Sequence, residues 1–70
     1  MTNFGKYIQA LRQANGMSLR QAERQCGVSN AYISQIERGL RSAPSPAIIR
    51  KMAMGYGVAY KTMMWAAGHL

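Results

Sequence analysis

Residues 18–39, SLRQAERQCGVSNAYISQIERG, constrain the fold more than any other stretch, because two complete helix signatures stand three residues apart in it. Ser18, with Gln21 three positions on, forms a capping box, in which hydroxyl and amide each satisfy a backbone N–H that the chain entering the helix leaves unpaired. Leu19, Ala22 and Cys26 recur at helical spacing as a buried stripe, and Gly27 ends the helix. Cys26 in that stripe is a small core hydrophobe and not a reactive thiol. Glu23 falls in the same stripe, where a carboxylate must reach solvent or find a cation. After a turn at Gly27–Val28–Ser29, the Ser29 hydroxyl caps a second helix that runs to about Arg38 before Gly39.

The flanking segments read as the scaffold for this pair. Phe4 to Asn15 forms a first helix, capped by Thr2 or Asn3 and stopped by Asn15-Gly16. Phe4, Tyr7, Ile8, Leu11 and Ala14 make its apolar stripe, with Arg12 at the edge. Leu40 to Pro44 is a loop, and Ser45-Pro46 is a cap followed by proline at the first helical position. The helix it starts runs to about Tyr56 and buries Ile48 or Ile49, Met52, Ala53 and Tyr56. Gly57-Val58 turns the chain into a last helix, Tyr60 to about Ala67, whose Met63, Met64 and Ala67 face the core. No strand-like alternation and no repeat is present, so the expected fold is all-α: one compact domain, residues 1–70, of five short helices around the core motif 18–39.

Charge narrows the function. Nine Lys+Arg against two Glu give a net charge of +7 over 70 residues. Solvated surfaces normally mix both signs, so this bias points to a polyanion, either nucleic acid or an anionic membrane. No apolar run approaches the roughly 20 residues that span a bilayer, no signal peptide is visible, and the basic residues do not line one amphipathic face. A single cysteine cannot form an internal disulfide, which fits a reducing cytoplasm. One histidine, one cysteine and two glutamates offer no catalytic dyad, triad or metal-ligand spacing, so neither an enzyme, nor a metal site, nor a cofactor is expected. His69, two residues from the end of the sequence, is expected to be frayed.

On the third helix, Tyr32, Ile33 and Ile36 share one side, while Ala31, Ser34, Gln35 and Arg38 share the other, with Asn30 in the exposed first turn. Glu37 lies at the border. The run G-V-S-N-A-Y-I-S-Q-I-E-R-G, preceded by Ser18 and the second-helix pattern, resembles the helix-turn-helix domains of phage repressors and Cro (the Xre type). The tail V-A-Y-K-T-M-M-W-A-A-G-H-L resembles the last helix of those lambda-repressor-like domains. Gly27, Val28, Ile33 and Ile36 stand where that family places its turn and its recognition-helix core.

The resemblance implies a third helix in the major groove of double-stranded DNA, with Asn30, Ala31 and Gln35 at the base-reading positions. Asn and Gln can pair bidentately with adenine, and an alanine methyl can meet a thymine methyl. Ser29, Tyr32, Ser34, Arg38 and Arg41 suit phosphates, as does Arg20 in the first turn of the second helix. Arg24, Arg50, Lys51 and Lys61 read as solvated surface. The family also pairs a first-helix arginine with a glutamate late in the recognition helix, which are Arg12 and Glu37 here. It further implies a cytoplasmic, nucleoid-associated transcriptional regulator of prokaryotic or phage origin, most often a repressor. Such a protein binds a palindromic operator as a homodimer, as the N-terminal part of a longer protein that takes a regulatory protein partner. The alternative is an antitoxin-like or bridging module whose chief partner is another protein.

Two positions depart from the family pattern. Leu19 replaces a phosphate-bonding glutamine, which shifts backbone anchoring to Arg20. Glu23 replaces a small residue, and it is expected to pair with a nearby arginine and adjust the angle between the second and third helices.

Overall fold

Asn3 opens the first helix: its side-chain oxygen accepts the Lys6 N–H at 3.0 Å. The computed structural model describes residues 3–70, so the alternative cap at Thr2 lies outside the described residues. Five helices follow in order: α1 Phe4–Ala14, α2 Leu19–Cys26, α3 Asn30–Glu37, α4 Pro46–Tyr56 and α5 Tyr60–Ala66. Among the described residues there is no strand. The Ser18–Gln21 capping box closes in both directions, and Ser29 accepts the Tyr32 N–H at 3.2 Å. Gly27 and Gly57 stop α2 and α4 at φ of 71° and 73°, a backbone that side chains with a Cβ disfavour.

Each helix contributes an apolar face to one core. Ile8 of α1, Ile33 and Ile36 of α3, Ile49 and Met52 of α4 and Met63 of α5 are fully buried, with Ala22, Cys26 and Val28 joining from α2 and the turn. Ile49 takes the inner position and Ile48 only packs on the rim. Helix α3 is held from two sides, by α1 and by α2, while α4 bridges α2 to α5.

The ends of the stripes depart from the sequence expectation. Ala14 is exposed, because the stripe of α1 runs off the core in its last turn. Ala66 is buried where Ala67 was expected, and Leu19 is half-buried. His69 is not frayed: its ring Nε2 bonds the Pro44 carbonyl at 2.9 Å, and its backbone N–H donates to the Met64 carbonyl. Arg50 is not simply solvated, since its guanidinium lies 4.2 Å from the centre of the Tyr60 ring and links α4 to α5.

The Tyr56 hydroxyl is buried in this core without a hydrogen-bond partner. Burial pushes both its phenol and the Cys26 thiol above their ordinary ranges. An unpaired buried polar group costs about 1–3 kcal/mol in desolvation. Tyr56→Phe is therefore expected to melt at or above the parent temperature. A fall of several degrees in calorimetry would show that the hydroxyl holds a partner after all.

Candidate nucleic-acid interface

The α2–turn–α3 unit is positioned by two carboxylates, and they are the only two in the chain. At the far end of α3, Glu37 receives a two-pronged bond from α1: Arg12 Nε donates to Oε2 at 2.7 Å and Nη2 donates to Oε1 at 2.9 Å. The third prong, Nη1, donates to the Met17 carbonyl in the loop before α2, so one guanidinium ties together α1, α3 and the approach to α2. The side chains are 13% and 5% exposed for Arg12 and Glu37, and the bond to Glu37 is the main reason the guanidinium is held above its ordinary range. The pairing implied by the family resemblance is present.

At the near end, Glu23 of α2 finds a partner of a different kind from the one expected. Its Oε1 accepts the backbone N–H of Asn30 at 2.7 Å and the Asn30 side-chain amide at 2.6 Å. No arginine pairs with it among the described residues. The reason is positional. The first N–H of α3 has no acceptor within its own helix, and a carboxylate one turn before the end of α2 reaches it. Those bonds from Asn30, backbone first, hold the Glu23 carboxyl below the usual carboxylate range. Arg20 and Arg24 contribute weakly to the same effect, and with Glu23 and Asn30 they line a shallow notch. Glu23 thus bonds α2 to the first residue of α3, through an asparagine in place of the arginine expected.

With both acids occupied internally, the outer face of α3 carries no free negative charge. Ala31 and Arg38 are exposed on it, and Ser34, Gln35 and Asn30 are half-buried. Ser29 is exposed, and its capping bond to Tyr32 leaves the hydroxyl hydrogen available. The Tyr32 ring packs partly on the core, and the Arg41 guanidinium lies above it at 5.2 Å. Arg41 also donates from Nε to Gln35 Oε1 at 2.6 Å, so the loop after α3 folds back onto the helix. Arg20 is exposed in the first turn of α2. The fold therefore gathers Asn30, Ala31, Gln35, Ser34, Arg38, Tyr32 and Arg41 on one helix and the loop that follows it, with Arg20 beside its N-terminus.

Sequence reasoning missed four features of this region: the Glu23–Asn30 bond, the Arg41–Gln35 bond, and the glycines through which the helices touch. A Cβ on Gly5 would run into the Ile36 carbonyl and stand 3.0 Å from the Glu37 carbonyl oxygen, so α1 meets the end of α3 backbone to backbone. Gly55 plays the same part between α4 and α2. A glycine inside a helical segment was the available signal.

Among the described residues no helix is long and apolar enough to cross a membrane, and no group of three His, Cys, Asp or Glu could hold a metal ion.

The arrangement has close relatives. The HTH-type transcriptional regulator RghRB of Bacillus subtilis (strain 168) is 41% identical over 70 residues, which is 100% of this chain and 50% of that protein. The HTH-type transcriptional repressor RghR of the same organism is 39% identical over 70 residues, 100% of this chain and 52% of its own length. The crystal structure of an HTH_3 family transcriptional regulator from Vibrio cholerae superposes with a TM-score of 0.80 at 31% identity, covering 91% of this chain and 35% of that one. The chain thus spans about half the length of the curated relatives it matches. The model of the helix-turn-helix family matches residues 8–61, from the second turn of α1 to the start of α5 and across the whole of the α2–α3 pair, and the chain belongs to that family.

Proposed function

We propose that this chain is the operator-reading domain of a transcriptional repressor, with α3 seated in the major groove of double-stranded DNA. The observation that carries the reading is electrostatic. Both acids are spent inside the helix-turn-helix, on Arg12 and Asn30, while Arg20, Arg24, Arg38 and Arg41 stay exposed around α3 in a chain of net charge +7. Such a field attracts phosphates and leaves the short polar side chains of the helix to meet base edges. In this reading Asn30, Ala31 and Gln35 contact bases. Arg20, Ser29, Tyr32, Ser34, Arg38 and Arg41 hold phosphates and set the register. The relative named a repressor supports the direction of regulation.

The operator is a palindrome read by a homodimer, with half-sites one helical turn, about 34 Å, or a multiple of it apart. Helix α5 offers the surface for the second copy: Trp65 is 70% exposed and forms an apolar hollow with Leu70, Lys61 and Thr62. That hollow is also what favours the alternative, an antitoxin-like or bridging module with a protein as its chief partner. The polar outer face of α3 counts against the alternative, because the centre of a protein-docking face is depleted of charge. The site of action is the cytoplasm, at the nucleoid of a prokaryote or on phage DNA.

Selection of binding sites from random duplex DNA at near-physiological salt tests the proposal. A recovered palindrome, with log affinity falling linearly against log salt, is the expected outcome. Equal, salt-sensitive binding to every sequence would sink the operator reading.

A further inference from the structure

We propose that Glu23 and Arg41 determine base specificity without touching a base, by fixing which end of each reading amide is offered to the DNA. The inference rests on the operator reading above and deepens it. An arginine side chain carries only donors, so Gln35 must turn its oxygen toward Arg41, and the Nε–H to Oε1 distance of 2.6 Å leaves no other assignment. An ionised carboxylate only accepts, so Asn30 must turn its NH2 group toward Glu23, which it meets at 2.6 Å. Each partner makes a second contact. Arg41 is held between the amide and the Tyr32 ring, and the same Glu23 oxygen also takes the Asn30 backbone N–H.

The two amides therefore present different groups. Asn30 keeps its oxygen and one N–H, an acceptor beside a donor, which complements the N6 donor and N7 acceptor of adenine. Gln35 has one lone pair of its oxygen engaged by a cation and both Nε2 hydrogens unpaired. Its donors then outnumber its remaining acceptor site, which favours the O6 and N7 acceptors of guanine, or O4 of thymine, over the N6 donor of adenine. An unrestrained glutamine could turn either way and pair with adenine, as the sequence alone suggested for Gln35. Arg41 biases that choice toward the donor end. Arg41 and Glu23 are in this sense positioning residues, acting through Gln35 and Asn30.

The test is site selection with the parent chain, followed by the same selection with variants whose folding is checked by thermal melting. Gln35→Ala and Asn30→Ala locate the half-site positions that each amide reads. At the Gln35 position the parent is expected to prefer guanine or thymine over adenine by about ten-fold, within the range for one good side-chain–base contact. In Arg41→Ala that preference falls to about two-fold or turns to adenine, while preferences elsewhere in the site persist. Glu23→Ala relaxes adenine at the Asn30 position. Glu23→Gln, which keeps the acceptor oxygen, retains it.

A purely phosphate-binding Arg41 would instead weaken all sequences alike and leave the base preference intact, which overturns the proposal. So does adenine at the Gln35 position in the parent, or a Gln35→Ala variant that changes no position. Absence of any sequence preference in the parent removes the operator reading and this inference together. An unchanged preference in Arg41→Ala removes only the inference. Should Glu23→Ala fail to fold, the arm at the exposed Arg41 decides the outcome.

Discussion

Glu37→Ala is expected to lower the melting temperature by about 12 °C or more. Removing the carboxylate leaves the Arg12 guanidinium largely out of solvent with the Met17 carbonyl as its one remaining partner. Breaking a buried pair from one side costs about 3–5 kcal/mol, because the surviving charge stays desolvated and uncompensated. In a domain of this size each kcal/mol moves the midpoint by about 4–8 °C. Arg12→Ala should act in the same direction, since it strands the carboxylate and takes a donor from Met17. Arg12→Lys keeps the charge and loses the fork that grips both oxygens, so it should fall between parent and alanine variant. The double variant Arg12→Met, Glu37→Met removes both charges at once and is expected to recover most of the loss. That non-additivity distinguishes the pair from two unrelated surface residues, whose effects would simply add. A midpoint within 2 °C of the parent in either alanine variant would show that the pair contributes nothing to the fold.

The Arg12–Glu37 pair was implied by the family resemblance; periodicity by itself put each residue only at the edge of an apolar stripe on its own helix, where a charged side chain must lie along the core to reach water. The caps were legible for a local reason: Ser18 with Gln21 and Ser29 act within one turn, and Gly27 and Gly57 act within one residue, whereas Ser45 stands at the start of α4 ahead of Pro46 without a side-chain capping bond. What the sequence could not show was set by distance in space. Glu23 was matched to an arginine because charge was the visible criterion, whereas its position at the mouth of α3 made a backbone N–H the nearer partner. Nothing in the run of residues says that Arg41, six positions on, folds back to bond the Gln35 oxygen. Ala14 was placed inside by periodicity, and periodicity does not report where a neighbouring helix ends. Of the site residues, those defining the turn and the core of α3 followed from pattern alone. What the Asn30 and Gln35 amides bond within the fold did not.

The second large effect is expected at a residue that the apolar pattern passes over. Gly55 lies in α4 where that helix crosses α2, and a Cβ there would stand 2.8 Å from the Cys26 Cα and 2.9 Å from the Gln25 carbonyl oxygen, besides overlapping the Cys26 sulfur. Two effects oppose each other in Gly55→Ala. Alanine favours the helix over glycine by about 1 kcal/mol. The added methyl forces two helices apart, and overpacking of this kind costs about 1–3 kcal/mol and occasionally more. The clash wins here because its partners include backbone atoms, which cannot rotate aside as the end of a side chain can. A net loss of up to roughly 2 kcal/mol corresponds to a fall of up to about 16 °C in a domain this small. Cys26→Ala in the same chain removes the sulfur from the overlap and leaves the Cα and carbonyl contacts, so it should rescue the melting temperature only in part. Because α2 carries Glu23, which fixes the start of α3, the displaced helix should also weaken DNA binding beyond what the lost stability explains. Gly55→Ala melting at or above the parent would mean that α4 can move off α2 without strain, and that the close approach is not what holds the motif in place.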